Sequence, residues 1–151
     1  MKHLAIFFLI FFISCYTAKK ASQIASPSVW STISTNNSSS IKVATTFYNG
    51  YQGLHDCCID ILTKMHFEIA DNSNPITTKP RSIFNNIPAK YSLLCHDSDV
   101  IISGVYGAPS LGRLSWERIV KGKDPFGTPL FEKMKVFAEA IKGGTIYYAD
   151  H

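Results

Sequence analysis

The sequence predicts an α+β fold. Two stretches, 53–70 and 129–142, repeat apolar residues every three or four positions, the period of a helix with one buried face. Two short β-prone runs, 91–95 and 100–103, are joined by His96-Asp97-Ser98-Asp99, which reads as the turn of a hairpin. Composition agrees with a globular chain: 13% of residues are aromatic and 17% charged.

The chain opens with an address rather than an element of the fold. Met1-Lys2-His3 is a short basic start, and residues 4–13 form an unbroken apolar run. That run is too short to span a bilayer and has the length of a secretory signal's hydrophobic region. Phe12-Ile13-Ser14-Cys15 resembles a bacterial lipobox, in which Cys15 is lipidated and starts the mature chain. The competing reading is ordinary cleavage near Thr17-Ala18, which releases a soluble secreted form. Either way the protein is exported, to the periplasm or beyond, and it meets a membrane only through the lipid anchor. Removing residues 1–18 leaves about 130 residues, enough for one hydrophobic core.

Residues 19–52 read as a Ser/Thr/Asn-rich linker or as extra strands, with Val29, Trp30 and Ile33 as apolar anchors in its first part. Over 53–70, Leu54, Cys58, Ile61, Leu62, Met65 and Ile69 share one helical face, and Asp60 and Lys64 form a favourable four-apart pair on another. Residues 71–88 read as loop, with a short turn around 83–86. After the hairpin, the three glycines and one proline of 104–112 predict a loop, and Ser115 predicts the cap of a short helix over 116–120. Thr128 is the expected N-cap of the last helix, with Pro129 at its first position and Leu130, Met134, Phe137 and Ile141 as its stripe. Gly143-Gly144 ends it, and 145–148 reads as a strand.

The formal net charge of +4 is mild and its basic residues dispersed, which argues against a nucleic-acid partner. No GxSxG, HExxH or phosphate-loop motif occurs, so no catalytic residue is assigned. Cys95 and His96, adjacent on a strand, point to opposite faces and cannot act as a nucleophile pair. His55, Cys57, Cys58, Cys95 and His96 could in principle gather around a metal, but they lack CxxC or HxxxH spacing. A core Cys together with one disulfide is the better reading, and no metal or cofactor is assigned. Among Cys57, Cys58 and Cys95, a bridge from Cys95 to either of the adjacent pair is easier than a vicinal one.

The order of features over 91–150 carries a resemblance. A Tyr-led strand turns at Asp97-Ser98-Asp99 into a second strand, and Gly-Ala-Pro-Ser-Leu-Gly-Arg (107–113) comes next. Lys123-Asp124-Pro125-Phe126-Gly127-Thr128-Pro129-Leu130-Phe131 follows, and Gly143-Gly144 leads into Ile146-Tyr147-Tyr148. This segment is similar to the single Cache domain, an extracytoplasmic relative of the PAS fold. The resemblance implies a Cache-like domain over 53–151, with a PAS-like antiparallel sheet and a long N-terminal helix packed behind it, and a pocket with Tyr91, Leu93, Trp116, Arg118 and Tyr147 as ligand-binding candidates. It also implies a small organic acid as ligand, and a membrane sensor protein as partner because no output domain accompanies the domain. Such domains continue into further strands where this chain stops at His151. Either the stretch 29–48 supplies strands, or a partner does, or the product is truncated. The alternative function is a secreted or lipid-anchored structural protein that makes protein contacts without a ligand pocket.

Overall fold

Alternation decides which face of the sheet is inside. In a computed structural model, which describes residues 29–110 and 113–150, the strand β5 (Ile87–Cys95) buries Ala89, Tyr91, Leu93 and Cys95 and leaves the residues between them half-exposed. That period of two is the mark of a strand with one face in the core. The signal region and Cys15 lie outside the described residues.

Among the described residues, eight antiparallel strands and two helices make up the fold. The strand β1 (Ser38–Ala44) is followed by α1 (Gly50–Lys64), then by β2 (Ile69–Asp71), β3 (Ile76–Thr78) and β4 (Arg81–Phe84). After β5 come β6 (Asp99–Ser110), β7 (Arg113–Arg118), α2 (Gly127–Ala140) and β8 (Thr145–Asp150). The sheet runs β2-β3-β5-β6-β1-β8, with β4 also on β5 and β7 also on β6. Thus the Ser-rich segment supplies a strand, and that strand is internal, hydrogen-bonded to β6 on one side and β8 on the other. Ile41 and Val43 place it in the core, both fully buried.

Both helices cover one face. From α1 come Leu54, Cys58, Ile61 and Leu62, and from α2 come Leu130, Phe131, Met134, Phe137 and Ala138. Between these helices and the sheet, Phe67, Tyr91 and Phe137 form a closed ring of edge-to-face contacts with centroids 5.1–5.6 Å apart.

Several expectations are corrected. The first helix is not long and does not lead the fold: a strand precedes it, and it ends at Lys64 rather than Ala70. His66 turns left-handed at φ 61°, the His66 N–H donates to the Thr63 carbonyl, and the Phe67 N–H donates to the Leu62 carbonyl. These are the two bonds of a Schellman cap, and Leu62 and Phe67 share the core beside it. The expected loop over 71–88 holds two strands, β3 and β4, and the end of β2. Asn85 and Asn86, at φ 47° and 59°, form the two-residue turn between β4 and β5, of the kind that hairpins favour.

The expected loop at 104–112 is mostly strand. Gly104 and Gly107 serve close packing: a Cβ at Gly104 would crowd Ile119 and Tyr91, and one at Gly107 would crowd Leu114 and Pro88. The expected helix at 116–120 is likewise strand over Arg113–Arg118, because the segment pairs residue by residue with β6, Trp116 opposite Gly107.

The start of α2 is built differently from the expected Thr128 cap. Thr128 Oγ1 accepts from the Gly122 N–H, while Asp124 Oδ1 accepts from the N–H groups of Phe126 and Gly127 at 2.8 Å each. The Tyr106 hydroxyl donates to the other Asp124 oxygen at 2.5 Å. Partial burial pushes the Asp124 carboxyl up, but the Tyr106 hydroxyl and the two N–H groups more than reverse this and hold it below the usual carboxylate range. A folded-state pKa below the unfolded one contributes stability above the unfolded value, and that contribution is lost as pH falls through the folded value. Asp124→Asn is therefore expected to be less stable than the parent near neutrality and to converge with it in acid. Urea titrations from about pH 7 to about pH 3 check this.

Candidate functional site

The face of the sheet opposite the helices gathers the chemistry. Register places its residues in cross-strand rows. Tyr147, Lys42, Ile101 and Leu94 form one row across β8, β1, β6 and β5. Two residues further along β6, Ser103 faces Ser92. The next row is Lys90, Val105 and Arg118, and beyond it Trp116 lies opposite Gly107. All have the parity opposite to the buried Leu93, Ile102 and Ile41.

Cations and aromatic rings pair on this face. The Lys42 ammonium sits 4.9 Å from the Trp30 ring centroid and 5.2 Å from that of Tyr147. The Lys90 ammonium sits 4.7 Å from the Trp116 ring. At a rise of 3.3–3.4 Å per residue and a strand spacing of 4.8 Å, the backbones at Lys42 and Lys90 stand roughly 16 Å apart. Near the Lys90 row, Trp116 is 42% exposed and Leu114 60% exposed, so a large apolar surface meets solvent beside the charge. Asp99, the acid at the far end of the face, is engaged by His96 Nδ1 at 2.7 Å.

The five expected ligand residues are divided by this architecture. Trp116, Arg118 and Tyr147 lie on the face opposite α1 and α2, Trp116 and Arg118 in neighbouring rows on β7 and Tyr147 in the Lys42 row. Tyr91 and Leu93 point the other way, each 1% exposed in the core. Burial raises the Tyr91 hydroxyl well above its ordinary pKa, and its ring belongs to the Phe67–Phe137 cluster. Sequence reasoning missed Lys42, Lys90 and Trp30. The signal available for the lysines was parity: Lys90 alternates with Ala89 and Tyr91, and Lys42 sits between Ile41 and Val43.

An open groove of about 600 Å³ runs along the other side of α1, lined by Tyr48, Asp56, Cys57, Asp60, Lys64 and Lys142 among others. Its charges are mixed, and Lys64 is tied to Asp60 at 2.5 Å, the four-apart pair expected from the sequence. Cys57 Sγ donates to the Tyr48 hydroxyl at 3.0 Å. His55 is 8% exposed, with Nε2 2.9 Å from the Asn72 carbonyl. Among the described residues no set of three His, Cys, Asp or Glu side chains is placed to hold a metal ion. Among them, too, no helix is long and apolar enough to cross a membrane. Compared with known proteins, the chain matches no family model, no curated protein and no solved structure.

Proposed function

We propose that the chain is a non-catalytic, extracytoplasmic binding module that takes a carboxylate-bearing ligand on the face of its sheet opposite α1 and α2. One observation carries the reading: Lys42, Lys90 and Arg118 share that face with Trp30, Trp116 and Tyr147. Cations beside aromatic rings suit an organic acid, because the carboxylate finds charge and its carbon frame finds a flat apolar wall. The rows of Ser92–Ser103 and Lys90–Val105–Arg118 are adjacent, so hydroxyl donors stand next to the charges. A PAS-like pocket between helices and sheet would need the space that Phe67, Tyr91 and Phe137 occupy, which favours the opposite face.

Both of the chain's two tryptophans belong to this surface, so their fluorescence reports directly on occupancy. Titration with citrate and with a hexuronate is expected to give a saturable change that weakens at high salt. The double variant Lys90→Gln with Arg118→Gln is expected to bind at least ~10-fold more weakly, the scale of a lost charged hydrogen bond. An unsaturable response, or one that the double variant leaves intact, would remove the proposal.

The second reading, a protein-contact role without a small ligand, draws on the exposure of Leu114 and Trp116. It predicts that Leu114→Ser with Trp116→Ser leaves citrate titrations silent in both parent and variant, while lowering self-association or partner capture.

A further inference from the structure

The helix α1 and the strand β5 bring two cysteines together in the core. Cys58 lies on the buried stripe of α1 and Cys95 is the last residue of β5; both are buried, with Sγ atoms 3.8 Å apart. We infer that Cys58 and Cys95 are the site of an intramolecular disulfide that staples α1 to β5, and that Cys57 stays a thiol. The inference does not depend on the ligand-binding reading.

Geometry selects this pair. Asn74 grips the backbone of Cys95 from both sides: its amide donates to the Cys95 carbonyl at 2.8 Å, and its side-chain oxygen accepts from the Cys95 N–H at 2.9 Å. The strand end is therefore held while the helix presents Cys58 to it. Side chains one residue apart on a helix point about 100° apart. Cys57 accordingly faces the groove and the Tyr48 hydroxyl rather than Cys95. The thiols are already in van der Waals contact at 3.8 Å, and closing the bridge must bring the sulfurs to the ~2.05 Å of a disulfide by side-chain rotation.

The contact with Cys95 and burial hold the Cys58 thiol protonated, and the same contact lowers the Cys95 thiol; both sulfurs are buried, so an oxidant in solution reaches the folded, reduced pair slowly. Oxidation accordingly belongs to folding, before α1 seals the site. The reaction is exchange with a small disulfide. One protein thiolate attacks a sulfur of glutathione disulfide and displaces a glutathione thiolate. The second protein thiolate then attacks the mixed disulfide and displaces the other. Two S–H protons end on two glutathione thiols; the protein loses two electrons and the glutathione disulfide gains them.

The test is to refold the full chain in a reduced/oxidised glutathione buffer, alkylate it denatured without reductant, and map the peptides. The expected map shows a Cys58–Cys95 link and an alkylated Cys57. The oxidised chain is expected to unfold roughly 10 °C above the reduced one, a difference abolished by Cys58→Ala. Full alkylation of all the cysteines, or a link that includes Cys57 or Cys15, would overturn the assignment. So would equal unfolding temperatures for oxidised and reduced parent, a comparison that stands even where the variant fails to fold.

Discussion

Phe137→Ala is expected to lower the unfolding free energy by about 4 kcal/mol, read as a shifted urea midpoint with an unchanged slope. The side chain is fully buried on α2 and makes edge-to-face contacts with Phe67 and Tyr91 at 5.2 and 5.1 Å. Three elements meet there: the exit of α1, the middle of β5 and the buried face of α2. Collapse cannot refill the space cheaply, because Tyr91 is itself hemmed in at Gly104, where even one added carbon would touch its ring. Phe137→Leu keeps most of the volume and is expected to cost less than half as much, about 1.5 kcal/mol. Equal costs for the two variants would contradict the packing described here.

The second large effect is at a residue with no side chain. A Cβ at Gly127 would run into the carbonyl oxygen of Val120, a backbone atom with no rotamer to give way. Gly127→Ala is expected to cost about 3 kcal/mol, at the upper end for overpacking, and to disturb the Asp124 bonds that start α2. Gly53→Ala in α1 is the matched control. Its Cβ would meet only the Tyr48 Cβ at an ordinary 3.6 Å, so the usual helix gain of about 0.5–1 kcal/mol should appear. Opposite signs at two helical glycines, measured by the same thermal melts, would establish that the contact at Val120 decides the outcome.

These two positions also show what was readable in the residues. The stripe Leu130, Met134, Phe137 and Ile141 announced α2, and all four are buried, because a helix that covers a sheet must repeat at its own period. The hairpin turn between β5 and β6 was equally plain. What misled was glycine and serine. Gly104 and Gly107 suggest a loop to any reading based on local propensity, yet they let β6 pass close to Tyr91 and Pro88. Ser38, Ser39 and Ser40 look like a solvated tether and are all buried; the partners at Ser38 and Ser40, β8 and the Lys121 N–H, arrive much later in the chain.

The surface chemistry was half legible for a related reason. A strand's two faces can be separated from its sequence, but which face meets the helices depends on partners elsewhere. Tyr91 and Tyr147 both looked fit for a ligand wall, and register alone sends one into the core and the other outward. The dispersed lysines drew no site assignment from the sequence, and the rings beside them, Trp30 at Lys42 and Trp116 at Lys90, come from other segments of the chain.

The internal place of β1 has a consequence in time. Its pairing with β6 must wait for the hairpin half of the chain, and its pairing with β8 for the last residues of the sheet. Contacts so distant along the chain are slow to form, because the intervening loop must be closed before any of them returns free energy. The β3-to-β7 meander, made of neighbours in sequence, can assemble early, while Ile41 and Val43 stay without their strand partners. Because β8 pairs only with β1 among the described strands, β1 and β8 are expected to join β6 last, and the folding rate is expected to respond to changes at Ile41 far more than to equal changes at Leu93.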